Sequence, residues 1–154
     1  MIKTNVMRII ESKHINYVPH TYNANILNGE DVAKALSLNA NQVFKTLVTV
    51  GSNLNHYVFV VPVNKALNLK LAAKAVGQKS IEMIKQKELL PLTGYIHGGC
   101  SPIGMKKQFE TVVDASALNF ETIIFSAGRV GFQVEMSPQD LKQIVNCSFS
   151  EIAM

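Results

Sequence analysis

Two apolar runs, Val43 to Val50 and Tyr57 to Val63, flank Gly51-Ser-Asn-Leu-Asn, and no other segment limits the possible folds as much. They read as two strands, and a connection this short joins antiparallel neighbours. At least part of the sheet must therefore be antiparallel. The rest of the chain alternates helices and strands. Val6, Met7, Ile9 and Ile10 have helical spacing after Thr4, and Tyr17 to Tyr22 reads as a short strand. Asn28 can accept the free N–H groups of a first helical turn and so open a helix running to Leu36. Asn68 can do the same for a helix that stops at Gly77. A short Leu-rich turn is expected near Glu88 to Leu90, then strands at Thr111 to Val113, Thr122 to Phe125 and Val130 to Met136. Ser137-Pro138 opens the last helix. The expected class is α/β (α+β), a mixed, curled or partly barrel-like sheet with helices packed around it.

At 154 residues and 47% apolar composition, the chain can bury one core, and a second domain is not expected. No apolar run approaches the roughly 18–20 residues of a membrane span. Met1-Ile-Lys-Thr-Asn leads straight into a helical pattern rather than a signal peptide, which reads as cytoplasmic. Cys100 and Cys147 supply neither a disulfide framework nor a metal set, and no metal or other cofactor is expected. Charge is unevenly placed. Residues 65–107 hold eight lysines against Glu82 and Glu88, which is +6 of a net +4, so the remainder carries −2. That field suits a polyanion such as RNA or DNA, although a solvated lysine-rich helix face would look the same.

Between Gly94 and Lys107 four of the nine glycines fall within eleven residues, Gly94, Gly98, Gly99 and Gly104. Such a loop can turn successive N–H groups toward one point and cradle an anion or a developing oxyanion. Lys45 is the second unusual feature, because it interrupts the apolar run Val43-Phe-Lys-Thr-Leu-Val-Thr-Val. Strand alternation puts it on the face of Val43 and Leu47, with Phe44, Thr46 and Val48 opposite. It is either an edge lysine that discourages aggregation or a cation aimed into a pocket.

Taken together, these residues match one family. Phe44-Lys45-Thr46, Gly94-Tyr95-x-x-Gly98-Gly99-x-Ser101-Pro102-x-Gly104, Ser126-x-Gly128-Arg129-x-Gly131 and Ser137-Pro138-Gln139-Asp140-Leu141 occur in its order and at similar intervals, with further matches at His20-Thr21-Tyr22 and Leu67-Asn68-Leu69-Lys70. The chain resembles the YbaK/EbsC-type aminoacyl-tRNA deacylases, and within them the Cys-tRNA(Pro) deacylases, along nearly its whole length. The resemblance implies a single editing domain over residues 1–154 that hydrolyses the ester between a wrong amino acid and the tRNA 3′ end. It also implies a mechanism in which the substrate's own thiol attacks its carbonyl and leaves as a thiolactone. Such an enzyme supplies positioning and oxyanion stabilisation rather than a nucleophile.

Carried over in this way, Gly98 is the loop glycine whose N–H stabilises the oxyanion, adjacent Gly99 gives it room, and Lys45 orients the aminoacylated terminal adenosine. Tyr22, Phe44, Thr46, Ser126 and Arg129 are expected to bind the aminoacyl group or the terminal nucleotide, together with Ser101, which with Pro102 shapes the loop more than it does chemistry. The expected partners are the acceptor end of an aminoacyl-tRNA and prolyl-tRNA synthetase, with which family members can associate. The resemblance breaks at three places. The stretch from Tyr22 to Gly29 is short and lacks an evident aromatic pocket residue, Val130 stands where relatives often show a second basic residue, and Gln133 stands where they often show an acidic or small polar one.

Other readings stay open on the residues alone. Cys100 lies three residues after His97, and a thiolate beside an imidazole can be a nucleophile; relatives generally carry an aliphatic residue there, and no third orienting residue is evident. Ser101 lacks the Gly-x-Ser-x-Gly elbow of a triad serine. His14, His20 and His56 read as surface or strand residues. An Ala-tRNA(Pro) deacylase using activated water and a catalytically silent RNA-binding module are the alternative functions.

Overall fold

The computed structural model describes residues 2–154. Helix α1 (Asn5–Ser12) begins where Thr4 Oγ1 accepts the Met7 N–H at 3.3 Å, and buries Val6, Met7 and Ile10. Strand β1 (Val18–Thr21) follows, then α2 (Gly29–Ala35), opened by Asn28, whose Oδ1 accepts the N–H groups of Glu30 and Asp31. The expected hairpin is β2 (Phe44–Gly51) with β3 (His56–Pro62), registered antiparallel from Phe44 opposite Pro62 to Val50 opposite His56. Asn68 caps α3 (Leu69–Ala75) in the same way as Asn28 caps α2.

Three elements differ from the sequence reading. The Leu-rich turn is a two-turn helix, α4 (Gln86–Thr93), which contains Pro91. Its first turn is tied by the Lys85 N–H bonding to Glu88 Oε1 at 3.2 Å, and its last is closed by left-handed Gly94 donating to Leu90 O at 2.8 Å. Pro91 has no N–H to give Lys87 O, so one intrahelical bond is absent there. The strands β4 (Ile81–Met83) and β8 (Cys147–Ser150) were not anticipated. Between them lie β5 (Glu110–Asp114), a 3-10 turn (Ala115–Asn119), β6 (Ile123–Ser126), β7 (Phe132–Met136) and α5 (Pro138–Ile144).

The strands form two sheets. One has the order β1-β7-β6 and is antiparallel. The other has the order β4-β2-β3-β5-β8 and is mixed, because β5 runs parallel to both β3 and β8. A single bridge between Val43 and Ile124 joins them, with the Ile124 N–H donating to Gln42 O at 3.0 Å. Burial follows the pleat of the hairpin. Phe44, Val48, Val58 and Val60 enter the main core with α1, α5 and the small sheet, whereas Tyr57, Phe59 and Val61 pack on α3 and Ile152. The central strand β3 is thus covered on both faces.

Asp114 fastens the C-terminal segment to this frame. Its carboxylate accepts the N–H groups of Ile152 at 3.0 Å and Ala153 at 3.1 Å, and both the N–H and the hydroxyl of Ser116. Burial alone would raise its pKa, but the hydrogen bonds from Ser116, Ile152 and Ala153 outweigh it and hold the group below its ordinary 3.8. A depressed folded-state pKa stabilises the fold above the unfolded value. That contribution should fade as pH falls below about 3.8 and through the lower folded value. Asp114→Ala strands buried N–H donors, so it should cost about 2–4 kcal/mol at pH 7. Denaturant melts from pH 7 to 2.5 test this: a variant as stable as the wild type at pH 7 would contradict it.

Candidate functional site

β2 is paired along its full length with β3, but its other edge is covered only at the ends. The bridge to β6 is at Val43, and β4 is registered only from Thr49 to Gly51. A notch is left in the sheet edge between them. A cavity of about 340 Å³ occupies it, lined by Phe44 and Thr46 from one face of the strand and by Val43, Lys45 and Leu47 from the other. Only an unpaired edge lets residues of both faces meet one space.

Lys45 is half-buried here. Burial lowers its pKa below the ordinary 10.5, and the charge of Glu30 on α2 partly offsets this. The ion pairs among the described residues are Lys3–Glu11 and His20–Glu135, so Lys45 has none. The eight lysines of residues 65–107 are likewise without ion pairs, and all are exposed.

The glycine loop forms the facing wall. Thr93 O accepts the Lys106 N–H at 3.0 Å, which closes the base of the loop, and the Tyr95 hydroxyl bonds to Ile103 O inside it. Gly98 has φ +86° and lines the cavity. Its N–H donates to no backbone carbonyl among the described residues, whereas the neighbouring Gly99 N–H is used by Ile96 O at 3.0 Å. Gly99 does not line the cavity. A Cβ on it would come within 3.1 Å of Val130 N, so its role in the structure is to let the loop pack on the Arg129–Val130 backbone.

The small sheet forms the floor. Ser126 and Gln133, directly opposite one another on β6 and β7, are each 6% exposed and line the cavity. Ser126 Oγ accepts the Gly128 N–H at 3.1 Å, which leaves its hydroxyl hydrogen for another acceptor. Thr46 Oγ1 and Gln133 Oε1 are buried without any partner. Tyr22, held by its N–H to Gly131 O at 2.9 Å, completes this side.

Of the residues singled out in the sequence, Tyr22, Phe44, Lys45, Thr46, Gly98 and Ser126 therefore converge on one cavity. Ser101 does not reach it. It is fully buried, and its hydroxyl accepts the Ile103 N–H within the loop. Arg129 is exposed, with its guanidinium over the Phe132 ring at 5.5 Å. Among the other lining residues are Leu89, which the sequence did not single out, Leu27 and Gln133, which stood only at breaks in the resemblance, and His97, noted only as a neighbour of Cys100. Leu27, half exposed in the short loop before α2, comes within 3.0 Å of a Cβ built on Gly98 and supplies the wall for which no aromatic was found. The apolar pair Ile26-Leu27 in the otherwise polar stretch Asn23-Ala-Asn-Ile-Leu-Asn was its sequence signal.

Cys100 also lines the cavity, but burial pushes its thiol up to about 12, so it is protonated at neutral pH and is not an activated nucleophile. Among the described residues no three His, Cys, Asp or Glu side chains gather as a metal site. None of the cavity-lining residues is a carboxylate.

Residues 24–144 match the aminoacyl-tRNA editing domain family. Over 152 residues, 97% of this chain and 93% of the relative, the sequence is 44% identical to EbsC of Enterococcus faecalis, provisionally named a Cys-tRNA(Pro)/Cys-tRNA(Cys) deacylase. A proline–tRNA ligase of Shouchella clausii is 27% identical over 103 residues, 67% of this chain and 18% of the ligase. The fold superposes on a crystal structure provisionally described as a trans-editing enzyme for prolyl-tRNA synthetase, with TM-score 0.84, 22% identity and coverage of 97% of this chain and 94% of the other. A crystal structure of a hypothetical protein superposes with TM-score 0.88 at 21% identity, covering 97% and 99%. At such identities the structural likeness speaks for the fold alone.

Proposed function

Because the chain belongs to the aminoacyl-tRNA editing domain family, we propose that it removes a wrong amino acid from tRNA, with Cys-tRNA(Pro) as its principal substrate. The observation that carries the reading is the pairing, across one notch in the sheet, of a lysine without an ion pair and a glycine N–H without a backbone acceptor. These groups can hold an ester and stabilise negative charge on its carbonyl oxygen. The walls offer neither a carboxylate base nor an ionised thiol. A nucleophile contained in the substrate fits such a site.

In this mechanism Lys45, Thr46 and Ser126 orient the terminal adenosine and its aminoacyl group. The cysteinyl thiol adds to its own ester carbonyl, and the Gly98 N–H holds the oxyanion. Collapse breaks the ester bond, the thiol's proton passes to the departing ribose oxygen, and free tRNA leaves with cysteine thiolactone. Discrimination by size between proline and cysteine is weak, which is why a separate hydrolytic check is useful. We assign the whole of residues 1–154 to this one editing domain, acting in the cytoplasm, with the exposed lysines of residues 65–107 facing the acceptor end. Prolyl-tRNA synthetase is the proposed source of tRNA choice. No helix among the described residues is long and apolar enough to cross a membrane.

Single-turnover deacylation of Cys-, Ser- and Ala-tRNA(Pro) tests the mechanism. The serine ester should react about 100-fold more slowly or worse, because a hydroxyl is a far weaker nucleophile than a thiol near neutral pH. The cysteine product should be trapped as the thiolactone. Equal rates on all three would favour water activated at the cavity, for which His97 is the lining imidazole.

A further inference from the structure

In the mechanism above one proton leaves the cysteinyl thiol and reaches the ribose oxygen, and a thiol is a poor nucleophile until that proton is gone. A carrier must accept it, return it and lie on the cavity wall. Imidazole is the side chain that does both near neutral pH. Of the other histidines, His14 is exposed after α1, His20 is bonded to Glu135 at 2.8 Å, and His56 lies against the Phe109 ring with centroids 5.6 Å apart. None of these three lines the cavity, whereas His97 does.

His97 immediately precedes Gly98, so two bonds separate its Cα from the nitrogen that offers its N–H to the oxyanion. In the tetrahedral intermediate the entering sulfur and the departing ribose oxygen are each one bond from the carbon that bears this oxyanion. A ring hinged beside the oxyanion donor can reach both. The His97 side chain is exposed and belongs to neither ion pair of the described residues, so it can turn from one atom to the other. At this position the glycine motif Tyr95-x-x-Gly98 specifies no residue.

The ionisable groups that share the cavity with His97 are Lys45 of β2, Tyr22 beyond β1 and Cys100 of the same loop. The Cys100 thiol, pushed up to about 12, keeps its own proton. Glu30 of α2 acts on Lys45 without lining the cavity, and Glu88 of α4 is bonded to the Lys85 N–H. Lys106 lies along Gly94 at the base of the loop, and Arg129, on the segment against which the loop packs, is turned onto the Phe132 ring. No carboxylate on these walls competes with His97 for the thiol proton.

Granted the deacylase reading, we propose that His97 is a catalytic residue, the general base for the cysteinyl thiol and then the general acid for the ribose oxygen. As the S–C bond forms, the thiol proton passes to the imidazole. As the ester C–O bond breaks, the imidazolium gives that proton to the departing oxygen, and the histidine ends as it began.

Single-turnover deacylation of Cys-tRNA(Pro) by His97→Gln, followed from pH 7 to 9, tests this. At pH 7 the variant should be about 100-fold slower than the wild type. The gap should narrow to about fivefold by pH 9, because a thiol that ordinarily titrates near about 8.5 ionises there without a base. In His97→Ala, free imidazole added to the assay should raise the rate at pH 7 about tenfold, a rescue that a merely structural role would not permit. A rate in His97→Gln within about threefold of the wild type at pH 7, a loss of equal size at pH 7 and pH 9, or a His97→Ala variant indifferent to imidazole would overturn the assignment and leave the deacylase reading standing. Because the side chain is exposed, both variants should fold, and if one does not, the other decides alone. Wild-type protein that leaves every aminoacyl-tRNA intact would overturn the deacylase reading itself, and the assignment with it.

Discussion

Replacement of Lys45 by alanine is expected to lower kcat/KM on Cys-tRNA(Pro) about a thousandfold without loss of stability. The two halves of that result have one cause. A half-buried ammonium without an ion pair has given up part of its hydration, and the charge of Glu30 offsets only some of that loss, which is the sense of its lowered pKa. Removing it deprives the substrate of the one lysine or arginine among the described lining residues while sparing the fold an unfavourable burial. Lys45→Met, which fills similar volume, should accordingly melt about 1–4 °C higher than the wild type and be equally inactive. By contrast, Cys100→Ser should keep activity within about threefold, since a thiol pushed up to about 12 contributes no thiolate at neutral pH. Single-turnover assays beside thermal melts check all three variants. An active Lys45→Ala would remove the lysine from this role, and an inactive, folded Cys100→Ser would shift the nucleophile to the protein.

Lys45 was legible in the sequence because a strand records its own exceptions. One cation in eight apolar or small residues stands out before any partner is known. The helix starts were legible for the same reason: Thr4, Asn28, Asn68 and Ser137 each bond to N–H groups within three residues of themselves. What was lost depends on distant pairing. β8 is four residues long and finds its place only against β5, with Cys147 registered on Thr111, while the three-residue β4 is defined by Thr49 to Gly51. Gln133 was marked in the sequence only as a departure from the resemblance. Its strand was expected, but its position on the cavity floor follows from a register with β1 and β6 that sequence spacing does not encode. The notch is likewise invisible locally, since it consists of pairings that β2 does not make.

Gly98→Ala should cost about 10²–10³-fold in kcat/KM, and the reason is backbone conformation more than crowding. The residue sits at φ +86°, where an L side chain is strained by about 1–3 kcal/mol. The nearest atom to an added Cβ is Leu27 Cδ2 at 3.0 Å, the free end of a half-exposed side chain that can swing outward. Relief of the strain requires the peptide to rotate, and rotation takes the Gly98 N–H off the line it offers to an oxyanion. The two contributions can be separated with Leu27→Ala. If crowding mattered most, Leu27→Ala/Gly98→Ala would recover activity; with the N–H misdirected, the double variant should remain within about threefold of Gly98→Ala. The loss should fall on kcat, because an oxyanion exists only once the carbonyl has been attacked, while KM for the aminoacyl-tRNA stays near that of the wild type. A variant with unaltered kcat would remove Gly98 from the chemistry and leave its glycine explained by the turn alone.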